Sequence, residues 1–372
     1  MNSPDPSPSP PGDPRPALVQ LLRRRLAYAL EADPARLDVL LRSIAHAVAR
    51  RGATTLDAVV VDGALRVALP GRLPARPARL DQAAAALGLR VRFERGDEVA
   101  PPVLDPGRRA RDELVRAVRF HAARVASRWQ GALDDEDPEE VHALRGSLRR
   151  LKAALWIIEE DAFDPDLRAL ARWARALSPL TGALRDLDVA LALLPSFAPD
   201  AATLAHARAS LLAARAAARD AVCAHLRRAE VTAVLRAGLA AAPDLDAPRG
   251  SMRRVARHAV ARALSRLERS LDGDLRQPEA WHCIRRRARR VRDLVEVTDG
   301  ALGKADRRWR PQLHGLQGLL GELHDVDVLD AFTREGGGSL AGLRDAVARR
   351  REARMESLGA PLAELDAALR AR

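Results

Sequence analysis

The segments DPEEVHALRGSLRRLKAAL (residues 137–155) and QPEAWHCIRRRARRVRDLV (residues 277–295) each combine a histidine with a run of cations. Aligned, Pro138 matches Pro278, Glu139 Glu279, His142 His282, Arg145 Arg285, Arg149 Arg289, Arg150 Arg290 and Lys152 Arg292. Guanidinium groups are flat, multi-donor forks that fit phosphate oxygens, and an imidazole adds a donor that titrates near neutrality. Oxyanion recognition is the chemistry this combination suits. A second pair follows, GALRDLDV (182–189) and GELHDVDV (321–328), aligning Gly182 with Gly321, Asp186 with Asp325 and Asp188 with Asp327. A third pair, ARVASR (123–128) and ARALSR (261–266), precedes each histidine and aligns Arg124 with Arg262 and Arg128 with Arg266. Three matches in one order at near-constant offsets mark an internal duplication.

Helix geometry sharpens the reading. At about 100° per residue from His142, Arg149, Arg145 and Lys152 fall near ~340°, ~300° and ~280°, and Val141, Leu148, Leu155, Leu144 and Leu151 follow from ~260° to ~180°. The cationic stripe borders the apolar stripe, whereas an ordinary solvated face lies opposite it. In the second copy His282, Arg285, Arg289 and Arg292 repeat the arrangement beside Trp281, Ile284, Ala288, Val291 and Val295. Cations crowded on a core shoulder repel one another, so an anionic partner is expected. Arg124 with Arg128 and Arg262 with Arg266, each pair at i, i+4, are consistent with a second wall. Aspartates two apart on a helix do not face the same way, so one pair does not chelate a single ion well. Asp186, Asp188, Asp325 and Asp327 are therefore expected to hold arginines or cap helices; the alternative is a metal site for phosphoanhydride hydrolysis. Gly182 and Gly321 lack a GxxxxGK[ST] context and are expected to permit close helix approach. Arg23–Arg25, Arg108–Arg111 and Arg349–Arg351 read as solvated faces.

The elements that must position these residues are mostly helices. At 372 residues and 47% hydrophobic, the chain can bury at least one large core. The net charge is +12, and only two of 62 basic side chains are lysines, Lys152 and Lys304. Cys223 and Cys283 stand far apart without metal-ligand spacing, so neither a disulfide scaffold nor a zinc site is expected, and no cofactor. Nothing reads as a membrane span or an apolar leader, which gives the expectation of a soluble cytoplasmic protein with no membrane partner. Residues 1–16, rich in Pro and Ser, read as a disordered tail. Residues 17–100 read as a small α/β appendage: two helices to about Arg51, a hairpin around Asp62-Gly63, a helix at Leu80–Leu87 and a strand at Leu89–Phe93. After the APPVLDPG break, residues 107–372 read as about eight helices in two four-helix units, 107–240 and 250–372.

With LTGALRDLDVALALL and LLGELHDVDVL after the two histidine helices, residues 107–372 resemble the CHAD family, the conserved histidine α-helical domain. The resemblance implies a mainly α fold, here with the α/β appendage in front: two pseudo-symmetric four-helix bundles flanking a basic cavity. It also implies non-enzymatic binding of inorganic polyphosphate, with recruitment to polyphosphate granules as a consequence. Carried over by motif, His142, Arg145, Arg149, Arg150, Lys152, His282, Arg285, Arg289, Arg290 and Arg292 would line the cavity. Arg124, Arg128, Arg185, Arg262, Arg266 and His324 would be an outer set. Gly146 and His324 depart from the family pattern. CHAD domains often follow a CYTH triphosphatase domain, but residues 1–106 contain no Glu-x-Glu-x-Lys signature. Nucleic-acid binding is the rival that the same charge permits. Aromatic content of 3%, with no aromatics interleaved in the basic stripe, counts against a base-stacking surface. A metal-dependent polyphosphate or triphosphate hydrolase would need a clustered acidic site that the sequence does not assemble. The oligomeric state is not legible.

Overall fold

The computed structural model describes residues 13–29, 34–74, 78–134, 138–158, 165–197, 200–227, 233–236, 240, 249–273, 278–335 and 340–371. The chain divides into two compact units, Met1–Ala100 with Ala126–Asp134, and Pro101–Val125 with Asp135–Arg372.

In the first unit, α1 (Arg15–Leu26) and α2 (Pro34–Ala49) place Leu18, Leu22 and Leu26 and Leu40, Leu41, Ile44 and Val48 on their buried faces, spaced by helical turns. β1 (Asp57–Val61) turns into β2 (Ala64–Leu69) at Asp62-Gly63, whose φ angles of 51° and 69° suit a two-residue type I′ hairpin turn. β3 (Arg90–Arg95) lies on the other side of β2 and parallel to it. α3 (Ala78–Ala85) supplies the crossover that parallel pairing demands. Leu65, Val67, Leu69 and Val91 meet the helical leucines in one core, where each fully buried leucine contributes about 1.5–3 kcal/mol. Residues 1–12 of the expected tail lie outside the described residues. Arg15 and Pro16 belong to α1, with the proline in the first turn, where a helix has no use for its N–H.

The second unit is helical: α4 (Ala110–Asp134, its last nine residues grouped with the first unit), α5 (Pro138–Ile157), α6 (Pro165–Leu193), α7 (Ala201–Leu226), α8 (Met252–Leu271), α9 (Pro278–Val297), α10 (Arg310–Glu335), α11 (Ala341–Glu356) and α12 (Gly359–Arg370). The chain is thus mainly α with a small three-stranded sheet near its N-terminus. α5 packs on α6 and α9 on α10; across the copies, α5 packs on α9 and α6 on α10. Like helix meeting like is what a two-fold relation between copies produces. Ala190, Leu194, Ala207 and Leu211 of the first copy share a core with Val326, Leu329, Leu343 and Val347 of the second. About eight helices are expected from the sequence, and the stretch after position 338 alone holds two: α11 and α12 part at Ser357-Leu358, and Pro361 in the first turn of α12 marks the new start. Among the described residues no helix is long and apolar enough to cross a membrane.

Candidate oxyanion-binding site

Val141, Leu144, Leu148, Leu151 and Leu155 of α5 are buried, as are Trp281, Ile284, Ala288, Val291 and Val295 of α9. Arg145, Arg149 and Lys152, and on α9 Arg285, Arg289 and Arg292, are half-buried at the edge of those stripes. Because α5 and α9 pack together, the two rows meet. Arg145 feels the charge of Arg149 on its own helix and lies within electrostatic reach of Arg285 and Arg289 on the other, and Arg149 of Arg289 and Arg292. Burial holds Arg145, Arg149, Lys152, Arg285 and Arg289 below their ordinary pKa; neighbouring cations add to this, while Asp186 or Asp293 opposes it. Arg285 is pushed down to about 10, by burial and then by Arg289. A bound anion would offset both by its opposite charge.

The glycines of the second motif behave differently from each other. A Cβ at Gly182 would stand 2.5 Å from Arg145 Nη1, so the missing side chain makes room for a guanidinium; nothing lies within 4 Å of such a Cβ at Gly321. The room expected at both positions for a neighbouring helix is taken at Gly182 by a side chain of α5, whereas at Gly321 it stays open among the described residues.

His142 sits beside Arg185, as His282 sits beside His324, their rings 6.3 Å apart. Arg185 Nη1 lies 3.9 Å from Glu139, its nearest carboxylate among the described residues. Asp186 Oδ2 lies 3.4 Å from His324 Nε2 and faces both Arg145 and Arg285. Burial pushes the Asp186 carboxyl up, but the contact with His324 and the charges of Arg145 and Arg285 together hold it below its ordinary value. Its counterpart Asp325 is raised by burial, with Asp186 adding to the effect. Asp188 accepts a 2.6 Å bond from Arg215 on α7, and Asp327 a 2.6 Å bond from Arg351 on α11. The same tie in both copies extends the duplication to helices that carry no sequence motif. Arg351, read as part of a solvated face, is half-buried in this pair. Arg25 departs likewise: it is buried and donates to the Ser127 carbonyl at 3.2 Å.

Several expected cavity residues stand elsewhere. Arg150 Nε donates to Glu296 at 3.0 Å. Arg290, Arg266 and Arg262 gather around Trp156, 5.5, 5.4 and 4.2 Å from its ring. Arg124 is buried next to His121. Arg128 is a correction: it pairs with Asp57 at 3.1 Å and Glu98 at 3.3 Å inside the first unit, because a buried carboxylate there requires a cation.

Sequence reasoning missed Asp293 and Glu296. Asp293 Oδ1 stands 3.8 Å from Arg149 and 3.4 Å from Arg292; Glu296 reaches Arg292 at 3.5 Å. Both were visible in the alignment of copies, opposite Ala153 and Trp156. His121 was missed too. It is buried on α4 with its pKa pushed down to about 3, by burial and then by Arg150 and Arg124. An unfolded histidine titrates near 6.5, so below that pH the unfolded chain takes up a proton that the native one refuses. Stability is therefore present above pH ~6.5 and is lost as pH falls toward ~3. Urea midpoints measured across that range should fall, and His121→Leu should flatten the fall. An equally steep fall in the variant would exclude His121 as the cause. Among the described residues no three His, Cys, Asp or Glu side chains group as a metal site needs.

The CHAD domain family model matches residues 116–334. No curated protein matches the chain. The structure is similar to the crystal structure of the CHAD domain from the plant Ricinus communis, with 22% identity and a TM-score of 0.58, covering 71% of this chain and 96% of that one. It is also similar to PptA from Streptomyces chartreusis, with 16% identity and a TM-score of 0.50, covering 71% of this chain and 100% of that one. Identities this low speak to the fold alone. The family match spans more than half of the chain, and the paired histidine helices lie within it: this chain belongs to the CHAD family.

Proposed function

We propose that the chain binds inorganic polyphosphate along the facing cation rows of α5 and α9 and does not turn it over. The observation that carries this reading is the convergence of Arg145, Arg149, Arg285 and Arg289 from both copies. His142, Lys152, His282 and Arg292 complete the bound set, with Arg185 and His324 behind them, and the carboxylates Asp186, Asp325, Asp293 and Glu296 are outnumbered. Regularly spaced phosphates give several charge-assisted contacts per chain, and released counterions add to affinity. Held in the cytoplasm, such a protein would collect on polyphosphate granules.

Competition tests the reading. Polyphosphate should displace labelled DNA, DNA should fail to displace polyphosphate, and log affinity should fall linearly with log salt. The reverse displacement would establish nucleic acid as the ligand, and Mg²⁺- or Mn²⁺-dependent phosphate release would overturn the non-catalytic part.

Affinity should also respond to pH. Burial, and then the surrounding cations, hold His142 and His282 below the ordinary histidine value, and Glu139 only partly opposes this at His142. A bound polyanion favours their protonated forms, so affinity should rise as pH falls from ~8 to ~6. A flat profile would remove the histidines from the contact set.

The two glycines give a sharper contrast. Alanine at either adds about 1 kcal/mol of helix propensity. Gly182→Ala should weaken binding by displacing Arg145, whereas Gly321→Ala should leave binding unchanged. Equal affinities in the two variants would count against Arg145 as a contact.

A further inference from the structure

On α9 the flank away from the facing rows carries Cys283, Arg286, Arg287 and Arg290, at ~40° to ~140° from His282 on a helical wheel. With Trp156, Ala263, Arg266 and Arg269 they line a cavity of about 480 Å³, a size typical of small-molecule sites. Among the described residues no carboxylate lines it. Its arginines are held in other ways: Arg266 and Arg290 flank the Trp156 ring, and Arg287 donates to the Arg266 carbonyl. A carboxylate that positions a guanidinium also cancels its charge. An indole positions it and leaves the charge available.

The duplication shows how this flank differs from its counterpart in the first copy. Trp156 occupies the position that Glu296 holds in the second copy. Glu296 pairs with Arg150, the counterpart of Arg290, and Arg128, the counterpart of Arg266, pairs with Asp57 and Glu98. In the first copy both cations are paired directly with carboxylates; in the second Trp156 takes that place, and Asp293 reaches Arg290 only through its field.

We infer that this cavity is a second oxyanion site, separate from the facing rows, that takes a compact run of linked phosphates. Pyrophosphate and tripolyphosphate have that chemistry, and so does the phosphate tail of a nucleoside triphosphate. The Trp156 ring is already engaged by Arg262, Arg266 and Arg290, so the site reads phosphates and not a base.

Cys283 lines the cavity while Cys223 is buried, so alkylation of the intact chain by neutral iodoacetamide reports occupancy. Tripolyphosphate should slow Cys283 alkylation saturably. Arg266→Ala/Arg286→Ala should weaken that protection about a hundredfold. Trp156→Glu, which copies the second-copy residue, should abolish it with the thermal melt retained. Arg145→Ala/Arg285→Ala should leave it within about twofold. Protection by ATP but not AMP would identify a nucleotide tail as one source, and protection by tripolyphosphate alone a free phosphate chain. Absence of protection by either, or protection that survives both cavity variants or vanishes with Arg145 and Arg285, would overturn the inference. If the facing rows instead fail to bind long polyphosphate, Cys283 protection stays as it is, so the two failures are distinguishable.

Discussion

Replacing Arg145 and Arg285 together by alanine is expected to weaken polyphosphate binding by about a hundredfold to ten-thousandfold at low salt. Each charge-assisted hydrogen bond contributes about 1.5–3 kcal/mol, and about 1.4 kcal/mol is a factor of ten in affinity. The pair is the best choice because the two arginines are counterparts, they lie within each other's field, and each faces Asp186. The salt slope should fall in magnitude by about 1.5–2, one increment per lost phosphate contact. Folding should not suffer, since the substitutions relieve like-charge crowding. Titration of defined-length polyphosphate at two ionic strengths measures both quantities. An affinity within about threefold of wild type would mean that the facing rows do not hold the polymer.

Arg128→Ala should act in the opposite manner, costing about 3–5 kcal/mol of stability and leaving polyphosphate affinity unchanged. Removing one partner of a buried pair leaves the other charge under-compensated. Asp57 would keep its 2.8 Å bond from the Val99 amide but lose its guanidinium. Arg266→Ala, at the equivalent position in the second copy, removes an exposed side chain and should change stability by no more than about 0.5 kcal/mol. Urea unfolding of the two variants side by side makes the comparison. Equal stabilities would show that Arg128 does not sustain Asp57.

That contrast shows what could be read in the sequence. ARVASR and ARALSR match, and helix periodicity puts their arginines on one face, but no periodicity says which carboxylate waits opposite. Asp57 lies on a strand far away in the chain. The duplication, the helix phase of His142 and His282 and the hairpin at Asp62-Gly63 were legible because each is local: a spacing of three or four residues or a two-residue turn fixes it. The meeting of Arg145 with Arg289 depends on α5 packing against α9, which only the repeated motifs hinted at. Arg150 and Arg290 follow their neighbours in sequence but fall on the other helix flank, where Glu296 and Trp156 claim them. Gly182 could not be separated from Gly321 by type or spacing, since what distinguishes them is the Arg145 guanidinium lying against one and not the other.

A linear phosphate chain has no head or tail. On a surface where α5 and α9 are exchanged by a half-turn, threading it from either end presents the same oxygens to matching donors. Arg185 on one side and His324 on the other break that equivalence, since a guanidinium fork and an imidazole offer phosphate different donors. A chain whose two ends are alike cannot register that difference and would lie across the rows in either sense, whereas one capped at a single end would be oriented by it.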